Sequence, residues 1–409
     1  MAGCFTRWFL TKTKRPGGRN VARRFPSGRA IMSQIFASQK FRRTVLQGGF
    51  IIAVAALILS VILVGQRNIA DQGIATGFGF LEQTTGWPVN FSVIEVTGRS
   101  TYARVLWAGL LNTMLVGFLT LFLATILGLL LALMRVSSNT LMKSVGVAYV
   151  EVFRNVPVIL QVFFWYAILT HLPSPRQAYN VSDMIFLSNR GLMMPAPTLS
   201  GNDLLWLLGA VTAAGVALWL TRERLPASAR WGMAVGLIVL VFVTTLLTGR
   251  EPDTGLISLP ALKGLRFVGG MTLKPEFAAL LFGLTLFGAS YIGEIIRGGL
   301  LSVDRGKLEA GRALGFSTFQ INRLIRIPLA FRAMLPSLTN QYIWLMKGTT
   351  VGIAIGYPDY FAIVSTAINQ SGQTMELLAL LMGGFIVINY SIGFAMNRLN
   401  DSIKLKGRS

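Results

Sequence analysis

Long apolar runs constrain this chain more than any other feature of its sequence. A helix that crosses a bilayer needs about 20 mostly apolar residues. Runs of that kind lie at about 45–65, 106–134, 147–170, 202–220, 231–248, 277–296, 335–356 and 379–397. Charged residues form only 13% of the 409 positions, about half the share in a water-soluble domain. The sequence therefore predicts an all-α membrane protein with about eight transmembrane helices.

The distribution of lysine and arginine predicts how these helices are oriented. The arm 1–44 carries eleven basic residues and no acidic ones, whereas 357–378 has no Lys or Arg. Basic segments beside apolar spans stay in the cytoplasm. We therefore predict that both termini, the tail 398–409 and the segment 297–333 are cytoplasmic, and that 357–378 is an external loop.

Charge and residue counts exclude several classes of protein. The formal charge of +22 would suggest a nucleic-acid partner in a soluble protein. Here the cations flank apolar spans, so no nucleic-acid partner is expected. The single Cys4 and single His171 exclude metal sites built on several such ligands. Gly306-Lys307 is followed by Leu308, so no phosphate-binding loop is formed there.

The segment 297–333 contains more structural signals than a simple loop needs. Its first half is rich in helix formers and ends at Gly315, a residue typical of helix C-terminal caps. Its second half begins with Ser317 and Gln320 at capping-box spacing, and Pro328 is expected to stop it. The segment therefore predicts two short helices joined at a glycine.

Two interpretations of this helix pair remain open on the residues alone. Short helices beside a membrane can lie on lipid headgroups. The small residues Ala310, Gly311 and Gly315 beside Glu309 favour instead a close approach by another protein, which lipid does not require.

The spacing of residues in this segment resembles the EAA loop of ABC importer permeases. Glu309-Ala310-Gly311, then Gly315, then Ile325-x-Ile327-Pro328 follows the family pattern, with Gly311 in place of Ala and Ile327 in place of Leu. The resemblance implies that the segment docks on a separate ATPase subunit. The docking residues it implies are Glu309, Ala310, Gly311, Arg312, Gly315 and Phe316.

Three further stretches resemble the polar amino acid branch of these permeases, namely 153–161, 291–299 and 345–350. The layout of the whole chain resembles the larger permease subunit of general L-amino acid importers. It implies a type I importer core of five helices in 106–171 and 277–397. The extra N-terminal span 45–65 and two spans within an insertion, 172–276, complete the expected organisation.

The resemblance implies a permease subunit, not an enzyme, which moves L-amino acids into the bacterial cytoplasm by alternating access. ATP and Mg would be used by a partner, and this chain would bind no cofactor. The implied partners are two ATP-binding subunits, a second permease chain, a periplasmic amino-acid-binding protein and inner-membrane lipid. The competing hypothesis is an ion-gradient-driven secondary transporter of small polar solutes, which gives no reason for the paired helices in 297–333.

Polar groups at membrane depth mark a transport pathway or a buried pair. The candidates for a pathway or gate are Glu151, Arg154, Asn155, Tyr291, Glu294 and Lys347. Lys347 could contact a substrate carboxylate or serve as a structural partner. For Glu151 and Arg154 the competing hypothesis is an interfacial salt bridge, and for Glu294 and Arg297 an ion pair at i, i+3 spacing.

Glycines also recur every fourth residue in the seventh apolar run. Gly348, Gly352 and Gly356 therefore predict a face on which another helix packs closely.

Overall fold

A computed structural model describes residues 39–71, 77–197, scattered positions between 206 and 221, 226–248, 257–264 and 266–403. The chain divides into two compact units, 1–74 and 75–409. The helices with regular bounds are α1 Gln39–Asp71, α2 Tyr102–Val136, α3 Thr140–Asn155, α4 Val158–Thr170, α5 Ala227–Thr248, α6 Pro275–Leu301, α7 Arg305–Ala313, α8 Thr318–Ile321, α9 Ile327–Gly348, α10 Tyr360–Ser371 and α11 Thr374–Ile403.

Short strands lie between α4 and α6, so the prediction of an all-α chain is wrong in this region. They are β1 Tyr179–Val181, β2 Ile185–Ser188, β3 Gly191–Met194, β4 Ala196–Pro197, β5 Ile257–Ser258, β6 Ala261–Lys263, β7 Arg266–Val268 and β8 Met271–Leu273. The largest sheet has the antiparallel order β1-β2-β3-β8, and Leu192 in β3 pairs with Leu273 in β8. The two ends of the predicted insertion 172–276 are therefore joined by backbone pairing.

Four described helices, α1, α2, α6 and α11, are long and apolar enough to cross a membrane. Two bent helix pairs raise the number of candidate spans to six if each pair crosses once. The expected count of eight is thus not confirmed, and most of the predicted span 202–220 lies outside the described residues.

Two predicted segments have a different local structure. The run 147–170 is two helices, α3 and α4, which meet at an angle of 100°. Val156-Pro157 separates them because a proline disfavours helical geometry in the preceding residue. The predicted external loop 357–378 instead contains α10, which begins at the N-cap Asp359.

The helices α2 and α6 form the centre of the core. The two helices run parallel. Val116 and Phe277, from their first halves, belong to one buried cluster, and Leu131 and Ile296, from their second halves, belong to another. A Cβ placed on Gly128 of α2 would lie 2.8 Å from Ile292 Cγ2, so the two helices approach closely there. The bundle thus has one end that carries 77–101 and an opposite end that carries α7 and α8.

Candidate functional site

The helices α7 and α8 form the predicted pair and have the predicted caps. The Gly315 backbone has φ of +79°, and the Phe316 N–H donates to the Gly311 carbonyl at 3.1 Å, as in a Schellman cap. At the start of α8, Ser317 and Gln320 exchange both bonds of a capping box. Local sequence signals therefore determine the shape of this segment.

The expectation that Pro328 stops the second helix is wrong. A π-helical turn, Asn322–Arg326, links α8 directly to α9, and Pro328 lies in the first turn of α9. The Ile327 N–H reaches back to the Asn322 carbonyl. Proline has no N–H to donate, and the first turn of a helix does not require one. The wider π turn therefore lets the helix continue past Pro328. The paired helices are consequently continuous with the long helix α9.

Five of the six predicted docking residues are exposed, but Gly311 is buried. The exposed ones are Glu309, Ala310, Arg312, Gly315 and Phe316. A Cβ on Gly311 would lie 2.8 Å from Ile325 Cδ1 and 3.3 Å from Ile321 Cγ1. The small size of Gly311 is therefore used for packing within this chain, and the prediction that it faces another protein is corrected.

The helix pair is attached to the bundle core on both sides. Leu308 of α7 packs against the buried cluster that contains Val303 and Met334. Arg326, at the end of the π turn, donates from Nε to the Leu300 carbonyl of α6 at 3.3 Å. A force applied to α7 would therefore reach both α6 and α9.

Three charged side chains form a cluster at this same end of the bundle. Glu294 pairs with Arg297 on α6, as the i, i+3 spacing predicted, and also with Arg135 at the end of α2. The Arg297 Nε lies 3.2 Å from Glu294 Oε2. The pairing of Arg135 could not be predicted from the sequence, because its partner Glu294 lies 159 residues away. The ion pair between Arg135 and Glu294 therefore connects α2 to α6.

Arg154 and Tyr291, both predicted pathway residues, lie together. The Arg154 guanidinium carbon is 5.0 Å from the centre of the Tyr291 ring, which is cation–π geometry. The predicted salt bridge between Arg154 and Glu151 is not present among the described residues, and Glu151 and Asn155 are exposed. The ring of Tyr291 thus replaces the expected carboxylate partner.

A buried glutamine stabilises the bend between α3 and α4. Pro157 has no N–H, so the Phe153 carbonyl has no helical donor. Gln161 Nε2 donates to Phe153 O and to Val156 O, each at 2.9 Å. The sequence offered one signal for this contact, a glutamine eight residues after Phe153 and across a proline.

Lys347 and the glycine repeat lie at the end of α9. The Lys347 side chain is exposed and has no hydrogen-bond or ion-pair partner in the described part of the chain. Gly348 and Gly352 contact Leu284 and Leu280 of α6, as the predicted close-packing face requires. Gly356 does not belong to that face, because it ends the 3-10 segment Thr349–Ile355 with φ of +78°.

At the opposite end of the bundle, sequence analysis missed a buried polar centre. Asn112 of α2 has 0% exposure. Its Nδ2 donates to Pro358 O at 2.8 Å and Phe91 O at 3.0 Å, and its Oδ1 accepts from the Val93 N–H at 3.1 Å. One side chain therefore joins three separate parts of the chain.

Several side chains must come together to hold a metal ion. No group of three or more His, Cys, Asp or Glu side chains among the described residues could hold one. His171 is exposed at the C-cap of α4, where Nδ1 lies 2.7 Å from the Ala167 carbonyl.

Comparison with known proteins places these features in context. Residues 124–404 match the family described as "Binding-protein-dependent transport system inner membrane component". The chain is 36% identical to the putative amino-acid ABC transporter permease protein YhdX of Escherichia coli K12, over 91% of this chain and 97% of that protein. It is also 36% identical to the general L-amino acid transport system permease protein AapQ of Rhizobium johnstonii, over 83% and 87% respectively.

A solved structure titled "Crystal structure of an amino acid ABC transporter with histidines" is 19% identical, with a TM-score of 0.43. The match covers 74% of this chain and 95% of that one.

Proposed function

We propose that this chain, which belongs to the family of binding-protein-dependent transport system inner membrane components, is the permease subunit of an ABC importer for L-amino acids. The observation that carries the proposal is 36% identity with two amino-acid permeases along nearly the whole chain. The chain itself catalyses no reaction; it provides the path, and ATP and Mg are used by separate subunits.

In this proposal the helix pair α7–α8 is the contact with the ATPase. Its exposed residues include Glu309 and Arg312, which suit charged contacts, and Phe316, which suits an apolar one. Two ATP-binding subunits would bind to this chain and a second permease of a type I importer. A periplasmic amino-acid-binding protein would deliver substrate at the opposite end, with both termini of this chain cytoplasmic.

The attachment of the helix pair supports a mechanism of alternating access. Because α8 continues through the π turn into α9, a displacement of α8 rotates or shifts α9 without an intervening loop. The bond from Arg326 to Leu300 transfers the same displacement to α6. The proposed residues of the pathway or gate remain Glu151, Arg154, Asn155, Tyr291, Glu294 and Lys347. Lys347 has no side-chain partner among the described residues and can meet a substrate carboxylate.

Reconstituted uptake tests the function. The complete transporter in proteoliposomes should accumulate L-amino acids when ATP and the binding protein are supplied. An ion gradient without ATP should not drive uptake. Uptake that follows the gradient and ignores ATP would contradict the proposal and favour a secondary transporter.

A charge reversal tests the contact with the ATPase. Glu309→Lys should reduce uptake by about tenfold or more, because reversing a charge within an interface also leaves its partner unpaired. Glu95→Lys is the matched control, an exposed reversal at the other end of the bundle. Membrane insertion should be normal in both. Equal uptake by the two variants would show that α7 does not couple this chain to the ATPase.

A further inference from the structure

The core span that ends with α10 is broken at residues 356–359. The helical segments on either side meet at 52°. Gly356 turns the chain with φ of +78°, and Asp359 caps α10 by accepting from the Ala362 N–H at 2.8 Å. Broken spans expose backbone polar groups that hydrocarbon cannot satisfy, so this break needs partners from elsewhere in the fold.

Those partners come from two neighbouring residues of α2. Asn112 donates to the Pro358 carbonyl, and the Tyr357 hydroxyl donates to the Asn112 carbonyl at 3.0 Å. Thr113 Oγ1 accepts from the Tyr360 N–H at 2.8 Å. The helix α2 thus supplies partners for the break in addition to the bonds within its own segments, such as the one from the Tyr357 N–H to the Gly352 carbonyl at 2.9 Å.

The segment 87–93, which we call the strap, lies across the same break. Asn112 binds its backbone at Phe91 and Val93. The Phe91 ring lies 5.5 Å from the ring of Tyr357, between ring centres. At its other side the strap meets the start of α6, where Nζ of the N-cap residue Lys274 donates to the Asn90 carbonyl.

An open cavity of about 450 Å³ lies between the strap and α10. Trp87 and Asn90 form the strap side of its wall, and Ser365, Thr366 and Gln370 form the α10 side. Because Asn112 is bonded to both the strap and the break, the separation of these two walls depends on its hydrogen bonds.

We infer that Asn112 is a positioning residue that fastens the strap to the helix break and so holds the strap over the break in the resting transporter. Transport requires these bonds to open and reform in each cycle. This inference rests on the proposed function as an importer, and it adds a gate and the residue that controls it.

Two isosteric pairs of variants test the inference in the complete reconstituted transporter. Asn112→Leu removes the side-chain bonds, with the exposed Asn369→Leu of α10 as its control. Thr113→Val removes the acceptor for the Tyr360 N–H. Its control is Thr120→Val, which is equally buried on α2 but whose hydroxyl has no partner among the residues that the structure describes.

The measurement is ATP hydrolysis without binding protein, together with the number of substrates moved per ATP. Losing the bonds of one buried amide shifts an equilibrium by about tenfold. We therefore expect basal hydrolysis to rise at least about fivefold in Asn112→Leu and less in Thr113→Val, while transport per ATP falls. A purely structural role would lower hydrolysis and uptake together, in proportion to the assembled protein, and would overturn the inference.

A cross-link keeps the inference testable if Asn112→Leu fails to assemble. In a Cys4→Ser background, Val89→Cys and Thr366→Cys place thiols on opposite walls of the cavity. A bifunctional maleimide should stop uptake, and a monofunctional one should not. Continued uptake by the cross-linked protein would show that the strap need not move. Wild-type uptake in the same vesicles separates failure of the gate from failure of the proposed function.

Discussion

Replacing Gln161 with leucine tests how the bend between α3 and α4 is stabilised. Gln161 is buried at 5% exposure, and its amide donates to two backbone carbonyls that Pro157 and the bend leave without helical donors. Leucine has a similar volume but no donor. Gln161→Leu therefore removes the hydrogen bonds and leaves the packing nearly unchanged.

The expected change in the free energy of unfolding follows from three polar atoms, namely the Phe153 and Val156 carbonyl oxygens and Gln161 Oε1. Two unsatisfied carbonyls cost about 1–3 kcal/mol each. Against this, the Gln161 Oε1 is itself buried without a partner, so its removal returns about 1–3 kcal/mol. The expected net loss in the free energy of unfolding is about 2 kcal/mol. The sign depends on the bend carbonyls having no alternative donor.

Unfolding in mixed micelles, followed by tryptophan fluorescence, measures this loss. Thr285→Val is the control, because its hydroxyl is also buried and has no partner in the described structure. Its free energy of unfolding should stay equal to that of the wild type or rise. The reasoning is refuted if Gln161→Leu unfolds with the same free energy as Thr285→Val.

Two further predictions concern packing and charge. Gly352→Ala should lower the free energy of unfolding by about 1–3 kcal/mol, because the new Cβ would lie 2.8 Å from Leu280 Cδ2. At Gly298 a new Cβ would meet open space. Gly298→Ala should therefore raise the free energy of unfolding by about 0.5–1 kcal/mol in the same assay. A double-mutant cycle of Arg135→Gln with Glu294→Gln should give a coupling energy of about 1 kcal/mol, and additive losses would mean that the pair does not tie α2 to α6.

The features that sequence analysis predicted correctly depend on residues close together in the chain. The capping box at Ser317 and the glycine cap at Gly315 are formed by neighbours within five positions. The pair of Glu294 and Arg297 lies within one helical turn. Apolar runs likewise predicted α1, α2, α6 and α11, because each run by itself satisfies the length that a bilayer requires.

The features that could not be predicted depend on contacts between residues far apart in the sequence. The strands β3 and β8 have four and three residues, and their partners lie about 80 positions apart in the chain. Such short strands carry almost no periodic signal. Asn112 was missed for the same reason, since Pro358 is 246 residues away. For Asn112 the one available indication was a lone polar residue within an apolar run.

Among the described residues, three interruptions of apolar helices differ in what satisfies the freed backbone. At 155–158 the donor is Gln161, in the helix that follows. Before Pro328 the helix satisfies itself by widening into a π turn. At 356–359 the bonds come from Asn112, on a different helix. These bonds can be lost by moving α2 against the break without unfolding a helix, whereas the bonds of the π turn lie within one continuous helix. A transporter that must open and close reversibly would therefore move at the break 356–359 more readily than at the π turn.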